Sequence, residues 1–227
     1  MKRIYYFSIL TSLLLALTSC GELYEADEEE DGNKVEAKLT LGRTSVDLMV
    51  GDKFKIPVTM EPDSLKDYAV SWVSDNTGVV SISTDTLVAE SSGDAKVTVT
   101  WVGQKLTASA NVHVLPVWKW EDMKYKYPYD MAIFAKVTVN NRPADADCVV
   151  AAFDADGDLR GVGQLMKEKN IDYMLLRIYS PSTDIEDIYL SCYDRKAALL
   201  IELKDPISFV ASGTEGSLSD LYDITFK

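Results

Sequence analysis

The chain has 227 residues, 47% of them hydrophobic and 10% aromatic, with a formal net charge of −13 and a single histidine. That length and apolar content suffice for two modest domains, each with its own core. The acidic balance argues against nucleic acid as a partner and against attraction to an anionic membrane surface.

Lys2 and Arg3 precede an apolar run from Ile4 to Ala16, the layout of a secretory signal peptide. The run is shorter than the roughly 20 apolar residues of a lasting transmembrane helix, so its removal is expected. Leu17-Thr18-Ser19-Cys20 follows directly. This string resembles the lipobox of bacterial lipoproteins, which implies a signal peptide over residues 1–19, acylation of Cys20 and a membrane partner reached through the lipid. Several acyl chains would hold firmly, since each buried methylene contributes about 0.8 kcal/mol and a single chain is marginal. An ordinary secretory signal with a chance cysteine is the alternative. Gly21 stands where an aspartate would resemble an inner-membrane retention signal, which points to a lipid-anchored location at the outer membrane, and the acidic stretch that follows, by its own resemblance, to exposure at the cell surface. Loss of the signal removes Lys2 and Arg3 and takes the formal charge from −13 to −15.

Residues 20–34 form an acidic tether containing Glu25, Asp27, Glu28, Glu29, Glu30 and Asp31, charges that repel one another and bury little. The cluster also resembles the acidic stretch behind the acylated cysteine of surface-exported lipoproteins of Bacteroidetes.

From residue 35 onward, short alternating runs separated by turn residues predict an all-β chain of two units, 35–115 and 116–227. In the first unit, Val46, Leu48 and Val50 alternate before Gly51-Asp52, and Phe54, Ile56 and Val58 alternate after it, which predicts a hairpin. Further strands are expected around Val70–Trp72, Val80–Ile82, Ala95–Trp101 and Leu106–Val114. Thr44 to Asp52, Val70-Ser71-Trp72, Val79-Val80-Ser81-Ile82, Gly93-Asp94-Ala95-Lys96-Val97-Thr98-Val99 and Val112-His113-Val114 resemble, in order, the bacterial immunoglobulin-like group 2 domain. The resemblance implies an Ig-like β-sandwich, a core role for Trp72, a spacer or adhesin module, and no shared catalytic residues.

The second unit is expected to be another antiparallel β-sandwich. Its strands fall near Met131–Val139, Cys148–Phe153, Leu159–Leu165, Tyr173–Tyr179, Ile185–Tyr193, Leu199–Leu203, Ile207–Phe209 and Leu221–Phe226. Asp130 to Ala135, Val150-Ala151-Ala152-Phe153, Arg160-Gly161-Val162, Ile178-Tyr179 and Tyr222 to Phe226 resemble a β-sandwich domain of Bacteroidetes surface proteins. Leu159 departs from the cysteine expected before the Arg-Gly pair, and the resemblance supplies no activity.

Chemistry-bearing groups are sparse. His113 alternates out of phase with Val112 and Val114 and should face solvent; one imidazole and the two cysteines that remain beside Cys20, without paired spacing, support neither a triad nor a zinc site, and no cofactor is implied. Asp154-Ala155-Asp156-Gly157-Asp158 has the start of a calcium loop, but Leu165 occupies the twelfth position where a bidentate Glu is required, so a hairpin turn is the better reading. Cys148 and Cys192 fall in apolar strands, either as a disulfide or as two buried thiols. Carboxylates are plentiful, and a glycosidase pair would need two of them across a cleft.

The aromatic cluster Trp118, Trp120, Tyr125, Tyr127 and Tyr129 is the one candidate ligand-binding patch, because flat rings stack on sugars and anchor protein partners. Alternation places Trp118 and Trp120 on one strand face, with the tyrosines repeating that period. Packing into the second core and the junction between units is the competing role. The expectation is thus a non-catalytic surface lipoprotein in which an Ig-like spacer presents a domain for adhesion or for a glycan or protein ligand. An accessory subunit of an envelope assembly and a small secreted hydrolase are the alternatives.

Overall fold

A computed structural model describes residues 36–65, 69–123 and 126–227; Cys20, the signal peptide, the tether up to residue 35 and Tyr125 lie outside them. Residues 36–227 form one compact unit. Valine-rich alternation drives its first half. Along Gly93–Trp101, Ala95, Val97, Val99 and Trp101 are buried while Asp94, Lys96, Thr98 and Thr100 face outward or lie half-exposed.

The strands of this half are β1 (Lys38–Leu41), β2 (Ser45–Met49), β3 (Lys53–Phe54), β4 (Val58–Glu61), β5 (Val70–Ser74), β6 (Val80–Ser83), β7 (Thr86–Ala89), β8 (Gly93–Trp101) and β9 (Leu106–Leu115). A four-stranded sheet, β2-β9-β8-β5, faces a three-stranded one, β3-β7-β6, and β1 pairs with β4 alongside. Val46, Leu48, Ile56, Val80, Leu87, Val97, Val112 and Val114 fill the core of this sandwich. The hairpin expected at Gly51-Asp52 does not form. β2 pairs in parallel with β9 and β3 pairs with β7, so the turn carries the chain from one sheet to the other. Gly51, at φ +92, supplies the backbone that this crossing needs. Trp72 is half-buried against the core, and the fully buried tryptophan is Trp101 on the same inward face.

The second half comprises β10 (Tyr129–Val139), β11 (Arg142–Pro143), β12 (Cys148–Phe153), β13 (Leu159–Glu168), β14 (Ile171–Ser180), β15 (Glu186–Asp194), β16 (Leu199–Glu202), β17 (Ile207–Phe209), β18 (Thr214–Glu215) and β19 (Tyr222–Phe226). They make one ten-stranded sheet in the order β11-β10-β14-β13-β12-β15-β16, with β17 on β15 and β18 and β19 on β10. The sheet wraps one core, in which Ile224 and Phe226 from one end meet Ile201, Ile207 and Phe209 from the other. Pairing is antiparallel except for β18 and β19, which run parallel to β10. Asn140-Asn141 and Lys169-Asn170 have positive φ at both residues, the form that two-residue hairpin turns require. On β13, Gly161 and Gly163 face inward; a Cβ at Gly163 would lie 2.5 Å from Met174 Sδ, so the missing side chains make room for β14.

The two halves share an interface. Asp52 accepts hydrogen bonds from Tyr193 Oη at 2.6 Å and Arg195 Nε at 2.8 Å. Asp47 N–H donates to Ala198 O at 3.0 Å, while Leu200 N–H donates to the Asp47 carboxylate at 2.9 Å. Ala198 is buried in the core of the first sandwich, and Met49 and Leu115 pack with Trp118, Ala151, Val162 and Tyr193 in a shared apolar cluster.

Candidate ligand-binding cleft

The described residues between β9 and β10, 116–123 and 126–128, form no strand. After Pro116 it runs irregularly to a single 3-10 turn over Trp120–Asp122, closed by Met123 N–H donating to Trp120 O at 3.0 Å. Alternation of Trp118 with Trp120 therefore reflects no strand face, and Tyr127 likewise precedes the strand that begins at Tyr129. Instead these described residues lie as a strap across the outer face of the second sheet. Trp118, 8% exposed, is pinned edge-on to Phe153 with ring centroids 5.4 Å apart, and Met123 is 2% exposed.

Between this strap and the outer faces of β10, β14 and β13 opens a cleft of about 370 Å³. Trp120, Tyr127 and Pro128 line its wall, and Val162, Gln164, Leu175, Arg177 and Tyr179 its floor, with Asp130 at the start of β10. The register explains the grouping: Ala132 faces Arg177 and Asp130 faces Tyr179, so side chains of one parity from both strands emerge on the strap side. Arg177 Nη1 meets Asp130 Oδ2 at 2.9 Å, half-exposed to solvent. The Gln164 amide and the Tyr179 hydroxyl make no hydrogen bond among the described residues.

Behind the wall sits Arg160, 7% exposed. It donates to Asp154 through Nε at 2.8 Å, with Nη2 2.7 Å from the same oxygen and 3.6 Å from Glu186. Its guanidinium lies 4.8 Å from the Tyr127 ring centroid, and Lys126 Nζ lies 5.1 Å from it. Cations over the ring fix Tyr127 in place. Burial alone would raise the Asp154 carboxyl, but the bond from Arg160 and the N–H groups of Asp158 and Asp156 outweigh it and hold it below the usual range.

Of the expected patch, Trp120 and Tyr127 reach the cleft, Trp118 is buried in the junction, and Tyr129 is an exposed residue of core-side parity at the strand's edge. The Asp154–Asp158 segment is a turn: Asp154 Oδ1 accepts the N–H groups of Asp156 and Asp158, and Gly157 takes φ +83. His113 is exposed and pairs with Asp94 across the strands at 2.7 Å. Cys148 and Cys192 are buried free thiols. Cys148 stands opposite Asp194 and Cys192 opposite Val150, so the two are diagonal neighbours, a longer separation than direct partners and one that disfavours a bridge. Burial, with Cys148 and Asp194 nearby, pushes the Cys192 thiol up to about 12.

Asp130, Gln164, Arg177 and Tyr179 were not expected as a site. They belong to three strands, and only the inter-strand register assembles them; their outward parity was the one available signal. Asp130 is the only carboxylate among the described residues lining the cleft, and it is ion-paired, so the two-carboxylate geometry of a glycosidase is not built there.

No protein-family model and no curated protein matches the chain. Among solved structures, it is similar to domains 5–6 of the S-layer protein SbsC at 13% identity, covering 79% of this chain and 98% of that one, with a TM-score of 0.30. The extracellular cadherin domains 1–4 of protocadherin gamma B7 give 11% identity, 77% and 50% coverage and a TM-score of 0.32. Bovine butyrophilin gives 8% identity, 76% and 98% coverage and 0.27. The chain spans 25% of the longer SbsC structure of domains 1–6 and 31% of that of domains 4–9. At these identities and scores the likenesses do not assign the chain to any of these proteins or to their families.

Proposed function

We propose that the chain is a lipid-anchored surface protein of the bacterial outer membrane that binds an extracellular glycan or protein in the strap-walled cleft and does not turn it over. The cleft is the observation that carries the reading: aromatic and apolar surface with a few polar groups, on a rigid sheet, at the small end of ligand-site volumes. Cys20 and the acidic tether supply the anchor in this reading. The group 2 Ig-like resemblance of residues 35–115 supports a spacer, and the interface at Asp52 and Asp47 would make that spacer a stiff one.

The test is an array of glycans and extracellular proteins probed with the full chain in detergent, wild type beside Tyr179→Ala and Trp120→Ala. Binding that both substitutions reduce is expected. Binding that ignores both, or no binding to any ligand, would overturn the assignment of the cleft.

A further inference from the structure

We propose that the ligand of the cleft is a neutral pyranose, one or two rings in extent, gripped at adjacent hydroxyls by Asp130, Arg177 and Gln164. This deepens the cleft reading and rests on it.

Three observations select that chemistry. The charged groups lining the cleft cancel: Asp130 and Arg177 are paired at 2.9 Å, and of the two cations at the Tyr127 ring the buried one, Arg160, is neutralised by Asp154. An anionic ligand would have to displace Asp130 from Arg177, and a cationic one would have to displace Arg177 from Asp130, each leaving a partner uncompensated. A neutral polyol displaces neither. The pair offers an acceptor and a donor side by side, and a vicinal diol presents a donor and an acceptor at a matching separation. One hydroxyl donates to the Asp130 carboxylate while its neighbour accepts from the Arg177 guanidinium. Gln164, without a hydrogen-bond partner among the described residues, adds a donor and an acceptor on the adjacent strand.

The second observation is the apolar floor. Tyr179, Leu175 and Val162 stand on the strap side of β14 and β13 and offer the C–H face of a sugar ring a surface beside the polar pair. The Tyr127 ring is engaged by Arg160 and Lys126 and acts as a wall. The third is size and field. About 370 Å³ admits a short saccharide end and not a folded partner, and the acidic formal charge, −13 for the full sequence and −15 without the signal, repels acidic sugars.

Saturation-transfer NMR on the full chain in detergent tests this with methyl glycosides of glucose, galactose, mannose and N-acetylglucosamine, beside glucuronate and N-acetylneuraminate. At least one neutral glycoside should bind, and Arg177→Gln should weaken it by about tenfold to a hundredfold, the cost of a hydrogen bond to a charged group. Asp130→Asn should do likewise for the neutral sugar. The same substitution frees Arg177, so it should raise glucuronate binding above wild type, a gain that a merely structural role for Asp130 would not produce. Wild-type preference for glucuronate or N-acetylneuraminate, or loss-free binding in both variants, overturns the proposal. If cleft variants abolish capture of an arrayed protein while no sugar binds, the sugar assignment fails and the binding cleft stands; if neither ligand class binds, both fail.

Discussion

Tyr193→Phe removes one hydroxyl and keeps the ring, which isolates the polar clamp between the two halves from the packing around it. The lost bond is 2.6 Å long, accepted by a carboxylate, and donated by a side chain that is fully buried. Buried hydrogen bonds to charged groups contribute about 1.5–3 kcal/mol. Asp52 keeps Arg195 Nε at 2.8 Å and the Met49 N–H at 3.2 Å, so the lower end applies, about 1.5–2 kcal/mol. For a chain of this size that corresponds to a fall in Tm of roughly 3–8 °C. The pH dependence gives a second handle. Burial first, and then the hydrogen bond to Asp52, hold the Tyr193 phenol above the usual tyrosine range. A group raised on folding contributes its full stability below its unfolded value, near 10, and loses it as pH climbs beyond. The wild-type advantage over Tyr193→Phe should therefore be constant up to about pH 9.5 and shrink above pH 10. Urea unfolding at neutral and alkaline pH measures both quantities. A difference under about 0.5 kcal/mol at pH 7, or one that stays constant to pH 11, would refute the clamp.

Other substitutions probe the cores, the wall and the anchor. Gly161→Ala drives a Cβ into the carbonyl of Arg177 and should abolish the soluble fold, whereas Gly163→Ala meets the movable end of Met174 and should cost less, by thermal melting. Arg160→Met leaves the Asp154 carboxylate without its buried partner and should cost about 3–5 kcal/mol in urea unfolding; an unchanged midpoint would show the pair to be idle. At pH 8 native Cys148 and Cys192 should resist iodoacetamide and react once the chain is denatured without reductant; labelling that requires reductant would reveal a disulfide. Cys20→Ser should end palmitate incorporation and release the chain from the membrane fraction, and continued membrane retention would refute the lipid anchor.

Much of the strand order was legible because alternation survives wherever one face is buried. The expected segments at Cys148–Phe153 and Ile207–Phe209 coincide with β12 and β17, and others differ by a few residues at their ends. Pairing was less legible. Val46-Leu48-Val50 and Phe54-Ile56-Val58 alternate like a hairpin, yet alternation reports a buried face and not which strand lies beside it, and the two runs enter different sheets. The strap was misread for a related reason: Trp118 and Trp120 are two residues apart, and so would be a strand pair, but Pro116 and the turn at Trp120 keep the segment out of either sheet. The cleft's polar groups were the least visible, since Asp130, Gln164 and Arg177 are ordinary outward positions until the register of β10, β14 and β13 gathers them.

The parallel pairing of β2 with β9 has a mechanical consequence for a protein held at its N-terminal side and loaded through its second half. β2 is entered from the N-terminal side and β9 leaves toward the cleft, so tension pulls the two strands along their length in opposite directions. Their five-residue register, Ser45 to Met49 against Asn111 to Leu115, would have to shear all at once. β1, antiparallel to β4 with Lys38 opposite Glu61 at its leading end, can peel one pair at a time. Resistance to such a pull is governed by the rate of unfolding and not by equilibrium stability. A pull on the N-terminal side of β1 would therefore lengthen the chain by freeing β1 and then stop at β2, which the bonds of Asp47 to Ala198 and Leu200 also rivet to the second half.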